Sequence, residues 1–128
     1  MFVSAGSGAY ASVDGACVST GDGDVMMRFL PCYQAVESLR LGLSPCQAAV
    51  DAIQRITTYY PDMAGAIVVT DSKGNHAAAA SAKWQSLFQY CVQSKASPGG
   101  KVEIHKVCHQ DYETNTNTTT TTTTDDQH

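Results

Sequence analysis

The apolar positions along this chain change their period twice. Small and β-branched residues first come in two short runs, about 9–13 and 16–20, parted by Asp14-Gly15, a dipeptide suited to a tight hairpin. From Val25 the spacing turns mostly helical, through Met26, Met27, Leu30, Tyr33, Val36, Leu39 and Leu41, with a stop at Gly42. Pro31 lies inside that run and should kink it or start a new turn. Ser44 then reads as an N-cap and Pro45 as the first position of a second helix. Its apolar face is Ala48, Ala49, Ala52, Ile53 and Ile56, and it should end before Pro61. Beyond Pro61 the period is that of extended chain. "GAIVVTD" predicts a strand, "SKGN" a turn and "HAAAASAKW" a second strand, while "LFQYCVQS" and "KVEIHKVC" predict two more joined by "SPGG". The order ββ-αα-ββββ groups the helices between antiparallel hairpins, so the expected class is α+β, with helices covering one face of a sheet. The alanine runs predict another layer packed close against the strands.

Composition narrows the function. Of 128 residues, roughly 1–112 hold the material for one domain, while from Thr114 onward the chain is almost all Thr with Asn, Asp and Gln, so 113–128 is expected to be a disordered tail. A core of that size gives marginal stability, and the domain is expected to need a partner and to be aggregation-prone by itself. A net charge of −4 and a pI near 5.3, without basic runs, argue against nucleic acid and anionic membrane as partners and favour a small ligand. No stretch of eighteen apolar residues occurs, and the first ten residues lack the n- and h-regions of a signal peptide. Asn117-Thr118-Thr119 is a glycosylation sequon in the tail and a weak sign of secretion.

The five cysteines, Cys17, Cys32, Cys46, Cys91 and Cys108, are odd in number and form no C-x-x-C pair, so counting leaves the redox compartment open. Cys91 and Cys108 are equidistant from Gly99-Gly100. If the turn is centred there, the two sulfurs face each other and a disulfide is sterically allowed, with free thiols on neighbouring strands the equal alternative.

The junction "STGDGD" holds the most suggestive chemistry. Thr20 at a strand end can project its hydroxyl past the sheet, and Gly21 leaves its N–H uncovered, which together are the raw material of an oxyanion hole. The plainer reading is a strand end followed by Asp22 or Asp24 as helix N-cap. "GDGD" has too few oxygen donors for a metal loop, and His105, Cys108 and His109 lack the fourth ligand and shared face that zinc requires. His76 reads as an edge-strand residue. No G-x-S-x-G elbow, P-loop or dinucleotide fingerprint occurs, and neither metal nor cofactor is expected.

The stretch from Gly6 to Gly42 resembles the early β-subunit of the glycosylasparaginases, N-terminal-nucleophile (Ntn) amidohydrolases. The motifs that carry the likeness are "GSGAY" at 6–10, "STGDGD" at 19–24 and "MRFLPCYQAVE" at 27–37, and "GAIVVTDSKGNHAAAAS" continues it. The resemblance covers about residues 5–95. It implies part of an αββα sandwich, hydrolysis of the amide of a glycosyl-asparagine substrate, and an oxyanion hole built from the Thr20 hydroxyl and the Gly21 N–H. It also implies that the Gly21 carbonyl helps seat the substrate's α-amino group. Family members attack with a threonine made N-terminal by autoproteolysis, whose amine serves as base. That threonine and the R-x-G-D-S-P loop would lie upstream of Gly6, so the chain is expected to be a C-terminal portion, inactive without an α-subunit or a full-length homologue. Lysosomal location follows from the resemblance alone. A non-catalytic interaction or decoy subunit and a fragment of a plant-type asparaginase, which shares T-G-x-G but not the "MRFLP" helix, are the alternatives.

Overall fold

The computed structural model describes residues 4–95 and 97–108, together with the backbone of Thr121 and Thr122. Two strands, β1 (Ala9–Ser12) and β2 (Gly15–Gly21), are followed by a short helix α1 (Gly23–Met26) and by α2 (Pro31–Arg40) and α3 (Pro45–Tyr59). Then come β3 (Gly65–Asp71), β4 (His76–Ala80), β5 (Gln89–Val92) and β6 (Glu103–Lys106), and a two-residue strand β7 (Thr121–Thr122). The α+β class expected from the periodicity is the class observed.

Local chemistry explains the best-predicted elements. At the start of α3 the Ser44 hydroxyl accepts from the Gln47 N–H at 3.2 Å while the Gln47 side-chain oxygen accepts from the Ser44 N–H at 3.1 Å. This capping box satisfies donors that the first turn would otherwise leave orphaned, and Pro45, which has no N–H, occupies the next position at no cost. In the β3–β4 turn, the Asp71 carboxylate accepts from the Lys73 and Asn75 backbone N–H groups, both at 2.9 Å. Pro31 does not kink a continuous helix but opens a new one. Leu30 before it sits in the left-handed region at φ 50°, ψ 57°, which separates α1 from α2.

The strands β1-β2-β3-β4 form one antiparallel sheet in that order, and β5-β6-β7 form a second. Helices α2 and α3 cover one face of the first sheet, where Cys17, Ile67, Val69 and Ala79 meet Val36, Ile53 and Ile56 in the main core. On the opposite face Ala66, Ala78 and Ala80 pack under Tyr90 of β5 and Val107, which follows β6. The layers are therefore helix, sheet, sheet, compatible with part of an Ntn-hydrolase sandwich. The small side chains of β4 allow the second sheet to approach closely, as the alanine run implied. Among the described residues the second sheet packs on the β3–β4 half. On the same face the β1–β2 half is less covered, with Val18 54% exposed and Ala11 exposed.

Several expectations need correction. The first hairpin turns at Val13-Asp14, because Ser12 pairs with Gly15, so Gly15 belongs to the strand. The "HAAAASAKW" strand stops at Ala80, where the buried Ser81 begins a turn. Cys91 and Cys108 are not paired. The β5–β6 register sets Cys91 opposite Ile104, centring the connection between residues 97 and 98 rather than on Gly99-Gly100. Cys91 is a free, exposed thiol, and Cys108 is bonded to Cys46 at the start of α3, with a Cα separation of 6.1 Å. Apart from the strand pairing of Thr121 and Thr122 with β6, the expected disordered tail, the sequon and His109 lie outside the described residues.

Candidate active site at the end of the second strand

Strand parity decides where the groups at Thr20 and Gly21 point. The Asp22 N–H donates to the Ala64 carbonyl at 2.8 Å, across the β2–β3 ladder. Even-numbered β2 residues therefore bond toward β3, and odd-numbered ones toward β1, as the Ser19 N–H does to the Gly8 carbonyl at 2.9 Å. The Gly21 N–H accordingly faces the β1 side. There Gly6 would be its partner if β1 extended that far.

It does not extend that far. Gly6, at φ +84°, bends the chain toward the helices, and its carbonyl accepts from the Tyr33 N–H at 2.8 Å. Ser7 follows it inward, its carbonyl accepting from the Ser19 hydroxyl at 2.7 Å. The motif "GSGAY" thus folds the segment before β1 under α2 and leaves a gap in the ladder. The Gly21 N–H makes no hydrogen bond among the described residues. One residue earlier, Thr20 lies on the face opposite the helices, beside Ala66, and its hydroxyl has no partner among the described residues. A half-exposed hydroxyl above the sheet and a backbone donor in its plane flank the same gap. An oxygen seated over it can accept from both.

Gly21 is required by packing as well as by access. It sits at φ +132°, and a Cβ there would run into the Ala64 carbonyl and the Gly65 Cα of β3. The two strands meet here through the glycine pair Gly21 and Gly65. Asp22 occupies the N-cap position of α1, yet its carboxylate makes no capping bond and instead accepts from the Ala64 N–H at 3.0 Å. Asp24 lies in the first turn of α1 and does not cap it. Of the two residues read as caps, Asp22 therefore holds the N-cap position without a side-chain capping bond, and Asp24 lies inside the helix.

The remaining chemistry lies elsewhere. Cys17 and Cys32 are buried in the main core, and the hydrogen bond with Cys32, together with burial, pushes the Cys17 thiol well above the usual thiol range. It is an inert core thiol. A cluster that the linear sequence did not join is formed by His76, Tyr90, His105 and Glu103 of β4, β5 and β6. The Tyr90 hydroxyl lies 2.9 Å from His76 Nδ1, His105 Nε2 lies 3.2 Å from Glu103 Oε2, and the two imidazoles are 4.6 Å apart between centroids. His76 is lowered by burial and by the neighbouring His105, and Tyr90 is pushed up to about 12 by burial. The only sequence signal for this cluster was that His76 and His105 each fall in a predicted strand. Among the described residues no group of three or more His, Cys, Asp and Glu side chains could hold a metal ion, and no helix is long and apolar enough to cross a membrane.

The family model described as asparaginase matches residues 4–99, which include every element of the gap. The chain belongs to the asparaginase family. An Arabidopsis thaliana protein named "Probable isoaspartyl peptidase/L-asparaginase 3" is 56% identical over 90 residues, covering 70% of this chain and 24% of that protein. The N(4)-(beta-N-acetylglucosaminyl)-L-asparaginase of Rattus norvegicus is 48% identical over 75 residues, 58% of this chain and 22% of its own length. A Drosophila erecta protein that carries the same enzyme name provisionally is 45% identical over 103 residues, 80% of this chain and 26% of its own. The chain spans about a quarter of the length of these asparaginase relatives. Relatives of both names, the asparaginase one included, thus align with this segment.

Proposed function

We propose that this chain supplies the oxyanion-stabilising part of a threonine-nucleophile amidohydrolase that cleaves the side-chain amide of glycosyl-asparagine. The observation that carries the reading is the Gly21 N–H, without a hydrogen-bond partner among the described residues, beside the Thr20 hydroxyl at the gap in the ladder. In the reaction a threonine hydroxyl adds to the amide carbonyl and passes its proton to that threonine's own amine. The carbonyl oxygen becomes an oxyanion accepting from Thr20 and Gly21, each donor contributing roughly 3 kcal/mol. Collapse returns the proton to the departing glycosylamine and leaves an aspartyl ester, which water hydrolyses to aspartate.

Thr20 is not the N-terminal nucleophile of such a reaction, because its amine is tied in a strand peptide. The attacking threonine of the proposed enzyme comes from a segment that precedes Gly6, as the resemblance implies, and residues 4–108 supply the groups that receive the oxyanion. In the proposed enzyme the Gly21 carbonyl contributes to seating the α-amino group of the substrate, and the location is lysosomal, as the resemblance implies. The name of the Arabidopsis relative favours a second reading in which the same site hydrolyses asparagine or β-aspartyl peptides. A complete family polypeptide containing residues 4–108 should be assayed against glycosyl-asparagine, asparagine and a β-aspartyl dipeptide. The proposal expects the largest kcat/KM for glycosyl-asparagine; a preference for the dipeptide would favour the second reading, and no hydrolysis of any would refute both.

The less covered half of the first sheet, with Ala11 and Val18 exposed, supports a non-catalytic docking role as the reading to adopt if the complete polypeptide is inert.

A further inference from the structure

We propose that Asp22 is a positioning residue for the Gly21 donor, an inference that rests on the oxyanion reading of Thr20 and Gly21. In a regular antiparallel pair Asp22 and Ala64 would exchange two backbone hydrogen bonds. Only one is present, from the Asp22 N–H to the Ala64 carbonyl at 2.8 Å. The Asp22 carbonyl is diverted into the first turn of α1, where it accepts from the Val25 N–H at 3.1 Å and the Met26 N–H at 2.9 Å. That diversion would orphan the Ala64 N–H. The Asp22 carboxylate takes the carbonyl's place, accepting the Ala64 N–H at 3.0 Å.

One residue therefore lets the chain leave the sheet for a helix while keeping β2 pinned to β3 through the last strand position. That position is Gly21. Its neighbour across the ladder, Gly65, is fixed from the other side by Ser81, which is fully buried. The Gly65 N–H donates to the Ser81 hydroxyl at 3.1 Å, and the Ser81 N–H donates to the Gly65 carbonyl at 2.8 Å. Ala64 and Gly65 are thus held by Asp22 on one side and Ser81 on the other, and the closely approaching Gly21 backbone has little freedom to tilt. The direction of the Gly21 N–H follows from this frame. Without the Asp22 acceptor the Ala64 N–H turns to water, the end of β2 separates from β3, and the donor loses its aim.

The role calls for an acceptor oxygen, not a negative charge, and this separates it from a carboxylate that pairs with the substrate's ammonium group. Asp22 is exposed, so its substitution does not open a cavity. In the complete polypeptide, Asp22→Ala should speed exchange of the Ala64 amide at least about 10-fold and lower kcat about 10- to 100-fold, with KM within about twofold. Asp22→Asn, whose amide oxygen accepts the same bond, should restore both. The proposal is overturned if Asp22→Ala leaves kcat unchanged while Thr20→Val lowers it, or if KM rises with kcat intact. It is also overturned if Asp22→Asn fails as badly as Asp22→Ala, since the charge would then be what matters. If Thr20→Val itself leaves kcat unchanged, the oxyanion reading falls and takes the positioning role with it, whatever the exchange rates show.

Discussion

Replacing Cys108 by Ser should destabilise the oxidised chain strongly, and the size follows from the connectivity. The Cys46–Cys108 bond closes a loop across a sequence separation of 62 residues. By the chain-entropy relation a loop of that length removes roughly 4 kcal/mol of freedom from the unfolded ensemble. Beside it, the Cys108 N–H donates to the Ala78 carbonyl at 2.8 Å, and Val107 packs with Tyr90 over the β4 alanines. Urea denaturation of the oxidised chain, followed by the fluorescence of Trp84, which packs against the second core cluster, measures the loss. With a urea dependence of about 1.5 kcal/mol per molar, the midpoint should fall by more than about 2 M. Cys46→Ser should match it, and Cys91→Ser should leave the midpoint unchanged because that thiol is exposed and free. A Cys108→Ser midpoint equal to that of the parent chain, or a peptide map joining Cys91 to Cys108, would refute the reasoning.

Gly21→Ala should destabilise the chain by more than about 2 kcal/mol, since the new Cβ meets β3 backbone at a positive φ that disfavours any side chain, and a denaturation midpoint checks it. Acidification should loosen the second sheet through His76. Its folded pKa is lowered from 6.5 by burial and by His105, so the unfolded chain binds the proton more readily. The stability this group contributes is present above about pH 6.5 and is lost as the pH falls through the lower folded value. The groups facing it are the Tyr90 hydroxyl and the His105 ring, with Glu103 bonded to the latter. Denaturation midpoints at pH 7.5 and 5 should differ less for His76→Gln than for the parent chain; an equal difference would count against the cluster as the cause. Asp22→Ala and Asp22→Asn should separate as described above, by amide exchange and by kcat.

What the sequence made legible was whatever a few neighbouring residues decide. Ser44 and Pro45 start α3 by chemistry within one turn, and Gly6, Thr20, Gly21 and the "MRFLP" run mark the family at positions a reader can count. What it hid depends on partners far along the chain. Gly15 looks like a turn glycine, yet it is a strand residue whose Cβ would strike the Thr70 carbonyl and Leu39. Asp22 looks like a cap because the local rule favours capping, but its carboxylate is claimed by Ala64, 42 residues away. Cys91 and Cys108 appeared symmetric only if the turn was centred on Gly99-Gly100. Both glycines do have positive φ, but they sit in a short 3₁₀ turn displaced from the centre of the β5–β6 register. The imidazole cluster needed three strands to be laid side by side before it existed.

The central claim is that Thr20 and Gly21 hold an oxyanion, and the most direct measurement is the effect of Thr20→Val on the complete polypeptide. Valine keeps the shape at the strand end and removes one donor. The account predicts that kcat falls by roughly 10²- to 10³-fold while KM stays nearly constant, because the bond strengthens only as charge develops on the carbonyl oxygen. An unchanged kcat in a variant with the parent's denaturation midpoint would contradict it, and Thr20 would then be no more than the end of a strand.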